Sequence, residues 1–286
     1  MAMLLKGAPV AAALSGSLAQ RAQALRDRGV VPTLAILRVG EKPDDIAYES
    51  SAMKRCAKIG VEVQRFLLPV SCSREELLST VEAINRDAAI HGCLMFRPLA
   101  DRAANDAACM RLVPEKDVDC MTPRSLAHVF TSKGVGYPPC TAAACIEMLD
   151  HYGIALEGKR VTVVGRSLVV GRPVAMLLQA RNATVTMCHT RTQDLAGECR
   201  RAEILVTTAG KAGLIGAGCV SPGQVVIDVG INVGPDGKLC GDVDFPQAEP
   251  IVSAITPVPG GVGAVTTAVL CKHLIQAAEN LNPPRG

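Results

Sequence analysis

At 286 residues the chain has room for two α/β lobes and is short of three average domains. Its 30 basic and 27 acidic residues give a net charge of +3 with no block of one sign, which argues against nucleic-acid and membrane-surface partners. No apolar run approaches the roughly 20 residues of a membrane span, and 12 scattered Cys without a C-x-x-C pair read as small buried hydrophobes of a reducing cytosol. A cytoplasmic protein without a metal site is expected. With no Trp, three Tyr and four Phe, the core must be built from Val, Leu, Ile and Ala, which suits buried parallel strands covered by helices.

The first predicted element is a helix over 10–28, where apolar residues keep helical spacing up to Gly29. Residues 33–39 read as a buried strand closed by Gly40. A helix over 46–58 follows the Lys42-Pro-Asp-Asp45 turn and stops at Gly60, before a strand over 61–68. Ser73-Arg-Glu-Glu76 has capping-box spacing and opens a helix through Arg86. A strand over 91–96 is cut off by Pro98. This alternation favours a parallel sheet. Between Pro114 and Pro139 the sequence is irregular, and the lobe boundary is placed just after it. Thr141 can cap a helix through Asp150.

The second half alternates more cleanly. Strands over 160–164, 183–188, 204–208 and 224–229, with helices over 172–180 and near Leu195, make a Rossmann-like doubly wound core. A last helix over 265–280 is expected to pack back on the first lobe. The predicted domains are thus 1–140, 141–264 and 265–286.

Val163-Val164-Gly165-Arg166-Ser167-Leu168-Val169-Val170-Gly171 lies where a strand becomes a helix, the place at which amides and the positive helix end can hold a diphosphate. It is not G-x-G-x-x-G, and spacing alone leaves an ordinary tight turn equally open. The next strand ends Met187-Cys188-His189-Thr190-Arg191, where an acidic residue would select NAD. None is present. Arg166, His189 and Arg191 are instead donors and cations at one expected site, which favours NADP. Each alone reads as a solvated surface residue. Asp228-Val-Gly-Ile-Asn232 ends a later strand, where small residues would admit a nicotinamide or simply close a turn.

That loop, with Glu115-Lys-Asp-Val-Asp119, Pro139-Cys-Thr141, Gly241-Asp-Val243 and Thr256-Pro-Val-Pro-Gly-Gly-Val-Gly263, is similar in order and spacing to the bifunctional methylenetetrahydrofolate dehydrogenase/cyclohydrolase family over nearly the whole chain. The resemblance implies an N-terminal folate lobe, a C-terminal NADP lobe with a cleft between them, a tetrahydrofolate substrate, and a homodimer. Gly165, Arg166, Ser167, Thr190 and Ile231 match its cofactor contacts. Tyr48 and Asp119 match catalytic and folate-binding positions, the ring stacking on the pterin and the carboxylate binding its polar edge. Pro259, Gly260, Gly261, Val262 and Gly263 match its folate-contacting turn.

The pattern breaks at two places. In the family a Lys follows this Tyr by one helical turn; here that position is Ala52, and Lys54 lies about 200° around the helix from it. A family Gln falls at Phe96; Arg97 is adjacent and, on a strand, would point to the opposite face, a poor substitute. Ala264-Val265 and Ala142-Ala-Ala144 also depart. Hydride removal from a methylene bridge between two nitrogens needs positioning and no general base, whereas opening the methenyl ring needs proton transfer. Retained dehydrogenase with weakened or lost cyclohydrolase is expected. A non-catalytic paralogue binding NADP or folate, and a dehydrogenase for another small substrate, remain open on sequence.

Overall fold

The computed structural model describes residues 1–234 and 237–284; Arg285 and Gly286, at the end of the predicted 265–286 segment, lie outside it. In chain order the elements are β1 (Met3–Leu4), α1 (Gly7–Asp27), β2 (Thr33–Val39), α2 (Pro43–Ile59), β3 (Glu62–Leu68), α3 (Arg74–Arg86), β4 (Gly92–Met95), α4 (Arg102–Arg111), α5 (Pro123–Thr131) and α6 (Cys140–His151). They continue with β5 (Arg160–Val164), α7 (Gly171–Gln179), β6 (Thr184–Cys188), α8 (Leu195–Arg200), β7 (Ile204–Thr207), β8 (Val225–Asp228), β9 (Asn232–Val233), β10 (Leu239–Cys240), α9 (Phe245–Ala248), β11 (Ala254–Ile255) and α10 (Thr266–Leu281). No helix among the described residues is long and apolar enough to cross a membrane.

The chain divides into two compact units. One comprises Met1–Ala12 and Thr141–Thr266, the other Ala13–Cys140 and Thr267–Gly286. In the first, six parallel strands run in the order β1-β11-β8-β7-β5-β6, an α/β sheet of the doubly wound kind, and β9 and β10 form a separate antiparallel pair. Met3 pairs with Ala254 and Leu4 with Ile255, so the opening strand lies on this sheet although the sequence placed it in domain 1–140. Two residues are too few to show a strand period, and only their partner reveals them.

The second unit holds the parallel sheet β3-β2-β4. Its core gathers Ala35 and Leu37 of β2, Leu77, Val81 and Ile84 of α3, Met95 of β4 and Ala108 of α4. Helix α3 begins with a complete capping box, Ser73 Oγ accepting from the Glu76 amide and Glu76 returning to the Ser73 amide. Helix α10 belongs here: Cys271 Sγ lies 3.8 Å from Cys56 Sγ, and His273 Nδ1 lies 3.0 Å from the Val118 carbonyl. Burial drives the His273 pKa down to about 4, so the ring is neutral and Nδ1–H donates.

Helices α4 and α5 are additions to the sequence reading. Asp101 caps α4 by accepting from the Ala103 and Ala104 amides, and Thr122 caps α5 ahead of Pro123. Both signals are short and sit in a stretch where Pro and Gly punctuation dominates.

Candidate active site: a strand-end cavity and the surroundings of Tyr48 and Asp119

In the first unit a cavity of about 560 Å³ opens beyond the carboxyl ends of three adjacent strands. Gly165, Arg166 and Ser167 follow β5; His189, Thr190 and Thr192 follow β6; Thr208, Ala209 and Lys211 follow β7. That is where open α/β sheets bind ligands, because strand ends and helix N-termini leave backbone amides facing solvent. A Cβ on Gly165, whose φ is 128°, would overlap the Thr208 hydroxyl and carbonyl, and one on Gly171 would overlap the Gly165 backbone. The two glycines therefore let the strand, the loop and α7 close to a spacing that no side chain allows. Ser167 Oγ accepts from the Val170 amide at 3.1 Å, so this hydroxyl shapes the turn.

Of the three predicted cations, Arg166 and His189 line the cavity. Arg191 is exposed and outside its lining; its amide donates to His189 Nδ1 at 3.1 Å, which leaves Nε2 as the ring's donor. Lys211 is a cation that sequence reasoning missed, although Ala209-Gly-Lys211 directly follows the strand predicted over 204–208. Ile231 is also outside the lining and exposed, with its Cδ1 beside Gly263. Arg166, His189 and Lys211 with no carboxylate in the lining fit an anionic dinucleotide.

Two buried aspartates hold this edge from behind. Asp242 accepts from the amides of Ala209 (2.6 Å), Gly210 (3.2 Å) and Lys211 (2.8 Å) and from Asn232 Nδ2 (3.0 Å). Asp228 accepts from Thr207 Oγ1 and from the amides of Gly230, Asp242 and Val243 at 2.9–3.0 Å. The Asp228 side chain thus locks β8 to the loop that carries Asp242. The 259–263 turn closes in the same unit: Gly7 donates to the Gly260 carbonyl at 2.8 Å, and the Ala264 and Val265 amides return to Gly261 and Val262. Within it, Gly260 has a φ of 100°. The turn's five residues, Pro259 to Gly263, lie outside the cavity lining.

In the second unit the Glu115-to-Asp119 motif separates by chemistry. Lys116 is buried, and its Nζ donates to the carbonyls of Ile84, Asn85 and Asp87 at 2.7–3.0 Å, capping the end of α3. Asp117 is buried too and accepts from the Met121 and Thr122 amides, both at 2.8 Å. Asp119 is partly open, as is Glu115, and its Oδ1 accepts from the Cys140 amide at 3.1 Å. Burial raises its pKa, and the Cys140 amide and thiol and the charge of Arg97 work against that rise.

Tyr48 lies on α2, half-buried, with Ala52 one turn on and 1% exposed. Phe96 is buried against it, ring centroids 6.0 Å apart at 82°, an edge-to-face pair. Lys54 is exposed. Two of the positions where the sequence departs from its resemblance, 52 and 96, thus carry apolar side chains near one tyrosine. Neither can carry a proton.

Residues 5–119 match the tetrahydrofolate dehydrogenase/cyclohydrolase catalytic domain, and 139–282 match the NAD(P)-binding domain of the same family. The bifunctional protein FolD of Carboxydothermus hydrogenoformans is 51% identical over 285 residues, covering 99% of each chain. The crystal structure of a bifunctional methylenetetrahydrofolate dehydrogenase/cyclohydrolase from Campylobacter jejuni superposes with a TM-score of 0.94 at 35% identity, over 98% of this chain and 99% of that one. A Trypanosoma brucei dehydrogenase-cyclohydrolase solved with NADP and an inhibitor gives 0.91 at 33%, over 99% of both. With both units matched and the strand-end cavity in place, the chain belongs to the tetrahydrofolate dehydrogenase/cyclohydrolase family.

Proposed function

We propose that this protein oxidises 5,10-methylenetetrahydrofolate to 5,10-methenyltetrahydrofolate with NADP, and that hydrolysis of the methenyl product is weak or lost. The observation that carries the second half is the apolar pair Ala52 and Phe96 beside Tyr48. Bound NADP supplies the hydride acceptor. Gly165, Ser167 and the start of α7 would hold its diphosphate, and Arg166 with His189 its 2′-phosphate, as the cationic lining supports. Thr190 and Ile231 are proposed as further cofactor contacts, with the Arg191 side chain peripheral.

For the oxidation the chain has to position. Tyr48 stacks on the pterin and Asp119 accepts from its N–H edge, while the turn Pro259, Gly260, Gly261, Val262 and Gly263 contacts the folate. Lone pairs of the two folate nitrogens stabilise the cation, so no side chain needs to take a proton. Opening the methenyl ring requires water attack and proton transfers, which general acid–base groups typically accelerate by about 10²–10⁴-fold. The protein is further proposed to be a cytoplasmic homodimer that feeds one-carbon units to purine synthesis; 12 unpaired thiols fit a reducing compartment.

Absorbance during turnover separates the two activities. Purified protein with methylenetetrahydrofolate and NADP should accumulate reduced cofactor together with persistent methenyl product. The double variant Ala52→Lys/Phe96→Gln should raise methenyl hydrolysis by at least about 10²-fold if the missing groups are the cause. Hydrolysis well above the spontaneous rate in the native protein rejects the loss. Folate binding without NADP reduction favours a regulatory paralogue, and no folate binding favours another substrate.

A further inference from the structure

Strand β4 ends at Met95, so Phe96 and Arg97 lie just beyond the ladder. The segment carrying Asp119 runs beside this strand, with Cys93 and Asp117 joined in a parallel bridge. While Phe96 turns inward onto Tyr48, Arg97 is exposed. Its Nη1 lies 3.8 Å from Cys109 Sγ, a contact too weak to account for a cation at this place. The Asp119 carboxylate accepts from the Cys140 amide at the start of α6; its charge is also felt by the Cys140 thiol and Cys120, favoured by Arg97 beyond β4 and opposed by Asp117 on its own loop. Arg97 is the cation in that group.

The pterin ring ends in a cyclic amide edge, with two N–H donors beside a carbonyl acceptor. A carboxylate accepts from the donors and repels the carbonyl, so Asp119 alone matches only part of the edge. A guanidinium presents N–H donors in a planar fork suited to the remaining oxygen. We propose that Arg97 is a substrate-binding residue that donates to the pterin carbonyl while Asp119 accepts from the adjacent N–H groups. This rests on the folate reading above and adds to it a residue that replaces neither of the missing proton-transfer groups. Arg97 orients the ring, and its charge favours the ionised form of Asp119 against the effect of burial.

The test uses the full chain, native and with Arg97→Leu or Arg97→Lys. Calorimetry measures binding of tetrahydrofolate and, separately, of NADP; initial rates give the pH profile of kcat/KM for methylenetetrahydrofolate. Arg97→Leu should weaken tetrahydrofolate binding by about tenfold or more, the loss expected for a charge-assisted hydrogen bond. NADP affinity should stay within about twofold. Without the cation the Asp119 carboxyl is held up further, so the acid limb of the profile should move to higher pH. Arg97→Lys should restore the limb and only part of the affinity, because a point charge lacks the fork.

Unchanged tetrahydrofolate affinity in Arg97→Leu, or an unmoved acid limb, overturns the proposal. If the native protein binds tetrahydrofolate through Arg97 yet reduces no NADP, the dehydrogenase reading fails and this one stands. A native protein that does not bind tetrahydrofolate overturns both.

Discussion

Asp228 shows how competing effects settle at one side chain. Four donors reach its carboxylate, and each favours the charged form. Burial and the like charge of Asp242 outweigh them and push its pKa up to about 6. The folded chain therefore binds this proton more tightly than the unfolded chain, whose value is near 3.8. Its contribution favours folding most at low pH and is lost as the pH rises from about 4 to about 6, on the order of 2–3 kcal/mol. Carboxyl carbon NMR should find Asp228 titrating near pH 6, and a midpoint below about 4 would contradict the assigned balance. None of this was legible in the sequence, where Asp228-Val-Gly-Ile-Asn232 read as a strand end near the nicotinamide. The donors come from residues 207, 230, 242 and 243, which only the fold brings to one carboxylate.

At the level of elements, α2 is held by one buried carboxylate. Glu49, next to Tyr48, receives Arg38 Nε of β2 at 2.7 Å and Arg65 Nε of β3 at 2.6 Å. Arg38 is buried with it, whereas the Arg65 side chain is 44% exposed. Glu49→Ala strands the Arg38 charge in the interior and should cost about 3–5 kcal/mol in denaturant unfolding. Arg65→Ala, with solvent screening its charge, should cost about 1 kcal/mol or less. Equal losses from the two would show that burial does not set the difference. Elements with their own punctuation were readable: the Ser73 capping box and the Gly60 stop both mark real ends. Helix α5 was hidden because Thr122-Pro123 sits in a run of loop signals, and β1 because its identity depends on a partner some 250 residues away. The candidate site divides the same way. Strand-end loops pointed to Arg166 and His189 by position, while Lys211 acquires meaning only from the cavity it lines.

Across the whole molecule, neither compact unit is a continuous stretch of chain. The unit built on Ala13–Cys140 takes its last helix from beyond residue 266, and that helix supplies Leu274 against Gly92, Cys271 against Cys56 and His273 to the Val118 carbonyl. A fragment of residues 13–140 should therefore give a poorly dispersed NMR spectrum, and a peptide of residues 267–284 supplied in trans should sharpen it. A well-dispersed spectrum from the fragment alone would refute the dependence.

The pairing of β1 with β11 has its own consequence during synthesis. Met3 leaves the ribosome about 250 residues before Ala254, an interval of roughly 12–50 s at about 5–20 residues per second. Throughout that time an apolar N-terminal segment has no strand to join, and the helix that completes the other unit is still untranslated. The half of the protein translated first is finished last, so chaperone demand should fall most heavily on the nascent chain before its final helix emerges.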